Sequence, residues 1–143
     1  RRDLSKYARQ TQQEILKICL IDEDVEKAFQ YLDERIKSLK EGKYDLRDLV
    51  VYEQLSKPIS EYKLISPHVM AAKKLYEKGI PVGEGSVIGY IIQKGTGSIS
   101  ERAYPVELAD SEKIDLKYYI DNQIVPVAMR ILNAFKIQKS SLL

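Results

Sequence analysis

The side chains that most often carry out nucleophilic or acid–base catalysis are scarce in this sequence. Its 143 residues include one histidine, His68, and one cysteine, Cys19. A serine or cysteine nucleophile normally needs an adjacent base, and His68 stands beside a proline at an expected helix start, not in a nucleophile elbow. Cys19 falls on the apolar side of an expected helix. We therefore expect no histidine-based or nucleophilic catalysis from this chain.

The acidic residues do not form an evident metal site. Pairs such as Asp22 with Asp24 and Asp33 with Glu34 fit a helix start and a solvated helix surface, and no expected strand brings two carboxylates together. Structural zinc sites of the finger type take four cysteine or histidine ligands, which a chain with one of each cannot supply. We expect no catalytic residue, no metal ligand and no cofactor in this chain.

A glycine-rich turn after an expected strand is a candidate phosphate-binding segment. Gly95 and Gly97 flank a threonine, Lys94 precedes them and Arg102 follows. The segment lacks the third glycine of a dinucleotide-binding motif and the Gly-Lys-Ser/Thr ending of a P-loop, so we do not expect a mononucleotide site. Backbone amides in such a turn can instead accept a phosphate of a nucleic-acid chain. A plain hairpin turn is the alternative.

A helix start provides a second candidate. Ser66 is a suitable N-cap, a proline occupies the first helical position, and His68 follows. Unpaired amides at a helix N-terminus attract anions. Basic residues surround this one in the sequence, namely Lys63, Lys73 and Lys74.

The N-terminal pair, Arg1 and Arg2, is a third group able to contact phosphates. The charge distribution agrees with this: residues 1–20 carry five basic and two acidic groups, residues 21–56 carry six and ten, and residues 57–102 carry seven and four. Such a distribution predicts a basic face that binds a polyanion and an acidic back. Solvated helix faces, or a protein-interaction module with a basic groove, remain open as alternatives.

Composition limits the class of protein. A hydrophobic content of 44% with 31% charged residues is typical of a globular domain, and no apolar run reaches the roughly 20 residues needed to cross a bilayer. The start has no apolar signal-peptide core, so we expect a cytoplasmic protein, and a lone thiol fits a reducing compartment. The first residue is not methionine, which suggests a piece of a longer protein.

Apolar residues at helical spacing predict a hairpin of two helices at the N-terminus. The first covers residues 4–20 with Asp3 as its N-cap. The second begins at Asp22 or Asp24 and ends at Gly42, which suits the left-handed conformation after a helix. The short connection between them makes the hairpin antiparallel.

Two further helices are predicted in the rest of the chain. A third helix begins at Ser66 and stops at Gly79. A long amphipathic helix of about five turns covers residues 116–135, because its apolar residues recur with a helical period. Pro126 lies inside this helix and should kink it or split it in two.

Short β-branched and aromatic segments predict a small sheet. The expected strands are residues 49–52 and 86–93, and residues 99–106 could return antiparallel after the glycine turn. The fold class is therefore α+β, with four helices packed with a small antiparallel sheet.

These elements divide the chain into three parts. Residues 1–43 form the helical hairpin, residues 44–112 hold the strands, the middle helix and the glycine hairpin, and residues 113–143 form the long C-terminal helix. At 143 residues the chain has the usual size of one domain, so we predict that the three parts form a single domain.

Several motifs in order resemble the thumb of archaeal family B DNA polymerases. Residues 1–5 (Arg-Arg-Asp-Leu-Ser) are similar to the family's Arg-Arg-Asp-Trp-Ser, and residues 52–57 (Tyr-Glu-Gln-Leu-Ser-Lys) resemble its Tyr-Glu-Gln-Ile-Thr-Lys/Arg. The other matching segments are Tyr-Lys at 62–63, Pro-His-Val at 67–69, Ala-Lys at 72–73, the strand and glycine turn at 85–97, and the residues from Tyr-Tyr-Ile to proline at 118–126. The resemblance extends over essentially the whole chain.

The resemblance implies a module that holds the primer–template product duplex through phosphates and sugars, without regard to base sequence. The segment from Gln54 to Lys57 and the helix start at His68 would lie against the duplex, and the glycine hairpin would reach along its backbone. The residues that would contact DNA are Arg1, Arg2, Gln54, Ser56, Lys57, Lys63, His68, Lys73, Lys74, Lys94, Gly95, Gly97 and Arg102. Of these, the two N-terminal arginines would approach the primer strand near the palm.

The family's reaction is templated addition of deoxynucleotides with magnesium held in the palm. The palm motifs Asp-Thr-Asp and Ser-Leu-Tyr-Pro-Ser do not occur here, so the chain alone is expected to be inactive and to bind no cofactor itself. Its expected partners are duplex DNA and the palm and fingers, in the same or a separate chain. The alternatives are a natural small subunit of a split polymerase, or a non-catalytic nucleic-acid or protein interaction module of similar fold.

Overall fold

A computed structural model describes residues 3–141, with side chains to residue 137. Arg1 and Arg2 lie outside the described residues. The fold is α+β, as predicted. The main helices are α1 (Lys6–Lys17), α2 (Val25–Lys40), α3 (Pro67–Glu77) and α4 (Val125–Ser141), and the strands are β1 (Val51–Gln54), β2 (Val87–Ile92) and β3 (Ala103–Pro105).

The chain forms two compact units. Residues 4–48 and 116–141 form a helical unit that contains α1, α2 and α4. Asp3 and residues 49–115 belong to a sheet unit, which contains α3 and the three strands. That the whole chain behaves as a single domain stays a prediction. Among the described residues, no helix has both the length and the apolarity to span a membrane.

The N-cap of α1 is Ser5, so the prediction of Asp3 is wrong. The Ser5 hydroxyl accepts a hydrogen bond from the Ala8 amide at 3.2 Å. It also donates to Oε1 of Gln123 at 2.7 Å, and the Ser5 backbone N–H donates to the same oxygen at 3.0 Å. Both side chains are buried. This long-range pair fixes the helix start two residues later than the sequence pattern suggested.

The connection between α1 and α2 is a π-helical turn, Ile18–Asp22. The α-helix therefore ends at Lys17, three residues before the predicted limit. The turn closes with Glu23 at a φ of 52°, and Asp24 then caps α2 by accepting from the Lys27 amide at 3.0 Å. The predicted start at Asp24 is confirmed.

The helical hairpin is antiparallel, as predicted. Tyr7 in the first turn of α1 donates its hydroxyl to the backbone carbonyl of Arg35, in the second half of α2. The Arg35 guanidinium lies 3.6 Å from the centre of the Tyr7 ring and donates to the Thr11 hydroxyl at 2.9 Å. At the end of α2, Gly42 adopts the predicted left-handed conformation with a φ of 74°.

The predicted disturbance at Pro126 is confirmed. A short α-turn, Leu116–Tyr118, leads into a π-helical segment, Tyr119–Ile124, and α4 starts directly after it. Proline cannot donate to the helical ladder and its ring clashes with the preceding turn, and a π-bulge is one way for a helix to absorb such a change. The predicted long helix therefore changes from α to π and back to α geometry in contiguous segments.

The sheet is antiparallel with strand order β1-β2-β3, and α3 packs against it. Residues 86–93 were predicted as a strand, and β2 confirms this. The first strand starts at Val51, later than predicted, because Leu46–Leu49 forms a 3₁₀ turn. The third strand has only three residues, because Ser100–Arg102 also forms a 3₁₀ turn before it.

Candidate nucleic-acid interface

The predicted DNA-binding residues of the sheet unit are divided between two ends of the sheet. At one end, β1 finishes at Gln54 and meets the start of α3, where Nδ1 of His68 lies 3.0 Å from Oε2 of Glu53. We call residues 54–63 and the start of α3 the loop end. At the other end, β2 leads into residues 93–102, which we call the glycine end. Gln54 at the loop end pairs with Val87, and Val87 precedes Lys94 by seven residues. In a strand this corresponds to a distance of about 20 Å between the two ends.

The loop end is organised around the phenol of Tyr62. The Ser56 backbone N–H donates to the Tyr62 hydroxyl at 2.8 Å, and the two hydroxyls lie 3.2 Å apart. The ammonium of Lys57 lies 4.9 Å from the centre of the Tyr62 ring. The hydrogen bond from the Ser56 side chain lowers the pKa of Tyr62, and amide donors and the Lys57 charge act in the same direction.

His68 is buried at the helix start, with only 8% of its surface exposed. Its Nδ1 faces both the Glu53 carboxylate and the Ser66 hydroxyl, the latter at 3.2 Å. Ser66 holds the predicted N-cap position and Pro67 the first helical position, but the Ser66 side chain makes no capping hydrogen bond. The imidazole is therefore directed inward, and the backbone amides are what this helix start offers to an anion.

The glycine end has unpaired backbone amides. In the described part of the chain, no acceptor takes the N–H groups of residues 95–98, which are all exposed. Gly97 has a φ of 100°, a conformation that other residues rarely adopt, so the turn favours glycine. Successive exposed N–H groups in such a turn form an anion-binding concavity.

Two predicted basic residues are engaged within the protein. Arg102 donates from Nη1 to Asp115 at 2.5 Å and to the Gln93 carbonyl at 2.9 Å, and its side chain is only 15% exposed. Lys74 donates to the carbonyls of Glu101 and Ala103, each at 2.6 Å, and burial lowers its pKa. Both side chains therefore stabilise the glycine end through hydrogen bonds within the protein.

The remaining predicted lysines keep their charge available. Within residues 3–137, Lys57, Lys63, Lys73 and Lys94 form no ion pair with a carboxylate. Lys63 and Lys94 are exposed, whereas Lys57 and Lys73 are half-buried. Gln54 is also exposed and donates its amide to the Gly85 carbonyl at 3.0 Å. Within residues 3–137, no group of three or more His, Cys, Asp or Glu side chains could hold a metal ion.

Sequence reasoning missed two contributors to this site, namely the Tyr62 hydroxyl and the Glu53–His68 contact. Tyr62 belongs to a recognised motif, but nothing in the sequence shows that its hydroxyl reaches Ser56. The Glu53–His68 contact has no local signature, because fifteen residues separate the two partners.

Comparison with known proteins agrees with the motifs. The family model described as DNA polymerase family B matches residues 1–135. The DNA polymerase of Methanocaldococcus jannaschii is 46% identical over 142 residues, which cover 99% of this chain and 9% of that protein. The DNA polymerase of Pyrococcus glycovorans is 42% identical over 144 residues, covering 99% of this chain and 19% of that protein.

A solved structure shows the same fold. The family B DNA polymerase from the hyperthermophilic archaeon Pyrobaculum calidifontis aligns with a TM-score of 0.81 at 38% identity, over 90% of this chain and 18% of that chain. The present chain thus spans less than a fifth of each of these relatives. Because both the family model and the relatives match along nearly its whole length, the chain belongs to DNA polymerase family B.

Proposed function

We propose that this chain is the thumb of a family B DNA polymerase, which grips the primer–template product duplex through its phosphates during DNA synthesis in replication or repair. The observation that carries the proposal is the pair of phosphate-compatible groups at the two ends of the sheet. The loop end offers Lys57 and Lys63, which have no acidic partner within residues 3–137. The glycine end offers Lys94 and the amides of residues 95–98, which are unpaired within the described part of the chain.

The spacing of these groups suits a duplex. Phosphates of one strand of B-DNA rise by about 3.4 Å each along the axis, so a span of about 20 Å corresponds to roughly six base pairs. Lysine side chains and backbone amides recognise phosphate and carry no base information. A polymerase needs this kind of contact, because it must hold every sequence that it copies.

The proposal divides the predicted residues into two groups by what they do. Those that are exposed or carry an available charge would contact DNA, and they are Gln54, Ser56, Lys57, Lys63, Lys73, Lys94, Gly95 and Gly97. His68, Lys74 and Arg102 would support this surface from within, because their side chains are already engaged by protein groups. Arg1 and Arg2 stay in the proposal as contacts near the palm.

The chemistry would come from other parts of the polymerase. Two-metal phosphoryl transfer needs carboxylates that hold magnesium, and we place these in the palm. The partners of the chain would be the duplex, the palm and the fingers, and it would work in the cytoplasm with the cell's DNA. Alone it should not extend a primer in the presence of magnesium and deoxynucleotides, and extension by pure material would contradict this part of the proposal.

The salt dependence of duplex binding tests the proposed grip. We expect Lys57→Glu and Lys94→Glu each to weaken binding for all sequences alike and to lower the slope of log K against log salt by about 0.9, the value for one phosphate contact. Filter binding of the full chain over a salt series measures this. Lys40→Glu, at an exposed position in α2, is the matched control and should leave the slope unchanged.

Two outcomes would point elsewhere. If the slopes of both sheet-unit variants equal that of the unsubstituted chain, the proposed surface is wrong. If the unsubstituted chain fails to bind a duplex even at low salt, a protein-interaction module becomes the better description.

A further inference from the structure

At the loop end, residues 56–62 form a closed loop in which the Tyr62 phenol contacts Ser56. Residues 56–62 leave β1, pass through the 3₁₀ turn Ile59–Glu61 and return to the Ser56 amide through the Tyr62 hydroxyl. Backbone hydrogen bonds tighten the turn, from Glu61 to the Pro58 carbonyl at 3.0 Å and from Tyr62 to the Ile59 carbonyl at 3.2 Å. The Tyr62 hydroxyl thus accepts a hydrogen bond from the Ser56 amide and closes the loop.

The Tyr62 ring also contacts the buried side chain of His68. The rings of Tyr62 and His68 meet edge to face, with centroids 5.9 Å apart. His68 is itself held by Glu53 and Ser66. Tyr62 therefore links an exposed loop to side chains fixed at the start of α3, and the hydroxyl bonded to Ser56 has a defined position.

The ring also restrains the cation that we expect to meet DNA. The Lys57 ammonium lies 4.9 Å from the ring centroid, and no carboxylate in the described residues forms an ion pair with it. A cation over an aromatic face is attracted by the ring and keeps donors free for a second partner. A side chain that is oriented before binding loses less conformational freedom when it binds.

We infer that Tyr62 is a positioning residue for the DNA grip: its hydroxyl fixes Ser56 and its ring orients Lys57 toward a backbone phosphate. This inference rests on the proposed function. The lowered pKa of the Tyr62 phenol agrees with the geometry, because the Ser56 hydrogen bond favours the phenolate.

Two substitutions separate the roles of the hydroxyl and the ring. Tyr62→Phe keeps the ring and removes the acceptor, so we expect about fivefold weaker binding to a labelled primer–template duplex with the salt slope unchanged. Tyr62→Leu also removes the ring and should weaken binding further. Tyr76→Phe is the matched control, since Tyr76 is 70% exposed, and it should bind like the unsubstituted chain.

A double-mutant cycle with Lys57→Ala distinguishes a positioning role of Tyr62 from a purely structural role. Lys57→Ala should reduce the affinity much less in the Tyr62→Leu background than in the unsubstituted chain. In the Tyr62→Phe background, which keeps the ring, Lys57→Ala should reduce the affinity almost as much as in the unsubstituted chain. Spectroscopic titration of tyrosines gives a second readout: Ser56→Ala should raise the pKa of Tyr62 toward its ordinary value. Thermal unfolding checks that each variant is folded.

The outcomes distinguish this inference from the function on which it rests. If the unsubstituted chain binds the duplex with a salt-dependent affinity but Tyr62→Phe and Tyr76→Phe bind equally well, the positioning role is wrong and the thumb assignment stands. Additive effects of Lys57→Ala and Tyr62→Leu also overturn it. If the unsubstituted chain does not bind, the proposed function and this inference fail together.

Discussion

At the scale of single residues, Lys57 and Arg102 are similar in the sequence but occupy different environments. Lys57 lies over an aromatic ring and has no acidic partner among the described side chains, whereas Arg102 is largely buried and paired with Asp115. The sequence could identify both as basic residues near a candidate site. It could not assign their roles, because the pairing of Arg102 depends on a carboxylate brought in from thirteen residues away.

Arg102 should therefore matter for stability more than for binding. Arg102→Ala would leave the mostly buried Asp115 carboxylate without its guanidinium and the Gln93 carbonyl without a donor. We expect a loss of about 2–3 kcal/mol in the free energy of unfolding, measured by urea denaturation. Lys94→Ala, at an exposed position, is the control and should change it by less than about 0.5 kcal/mol. Equal stability of the two variants would contradict the structural role.

At the scale of secondary structure, periodicity predicted which segments are helical better than where they begin and end. The apolar stripe of α1 is buried as expected, including Tyr7, Ala8 and Ile15. Its first residue was misplaced, because Asp3 and Ser5 are both good N-caps and only the bond from Ser5 to Gln123, 118 residues away, decides between them. The two π-helical turns likewise have no signature in a pattern of 3.6 residues per turn.

The start of α1 gives a test at this scale. Ser5→Ala removes the acceptor for the Ala8 amide and one donor to the buried Gln123, so we expect a loss of about 1–2 kcal/mol of stability. Urea denaturation followed by circular dichroism would measure it. Ser60→Ala, exposed in a 3₁₀ turn, should have no comparable effect, and an equally small effect of Ser5→Ala would mean that this cap contributes little.

At the scale of the whole molecule, the charge segregation read from the sequence does not carry over to the two units as net charge, because residues 49–115 of the sheet unit carry eight basic and nine acidic groups. Most of the acidic segment, residues 21–48, lies in the helical unit, and the basic segment 57–102 lies in the sheet unit. Periodicity and motifs were sufficient for the fold class and the family, and the region of the interface stays a prediction. They could not separate free from engaged cations, because that distinction depends on long-range contacts.

The central claim is that a duplex is gripped at both ends of the sheet. The most direct measurement is a titration of the ¹⁵N-labelled chain with duplex DNA, following each backbone amide by NMR. We predict shifts at Ser56 and Lys57 and at residues 94–98, reversed by added salt, with little change in α2. Shifts confined to the helical unit, or none at either end of the sheet at a concentration where the duplex is bound, would contradict the proposed grip.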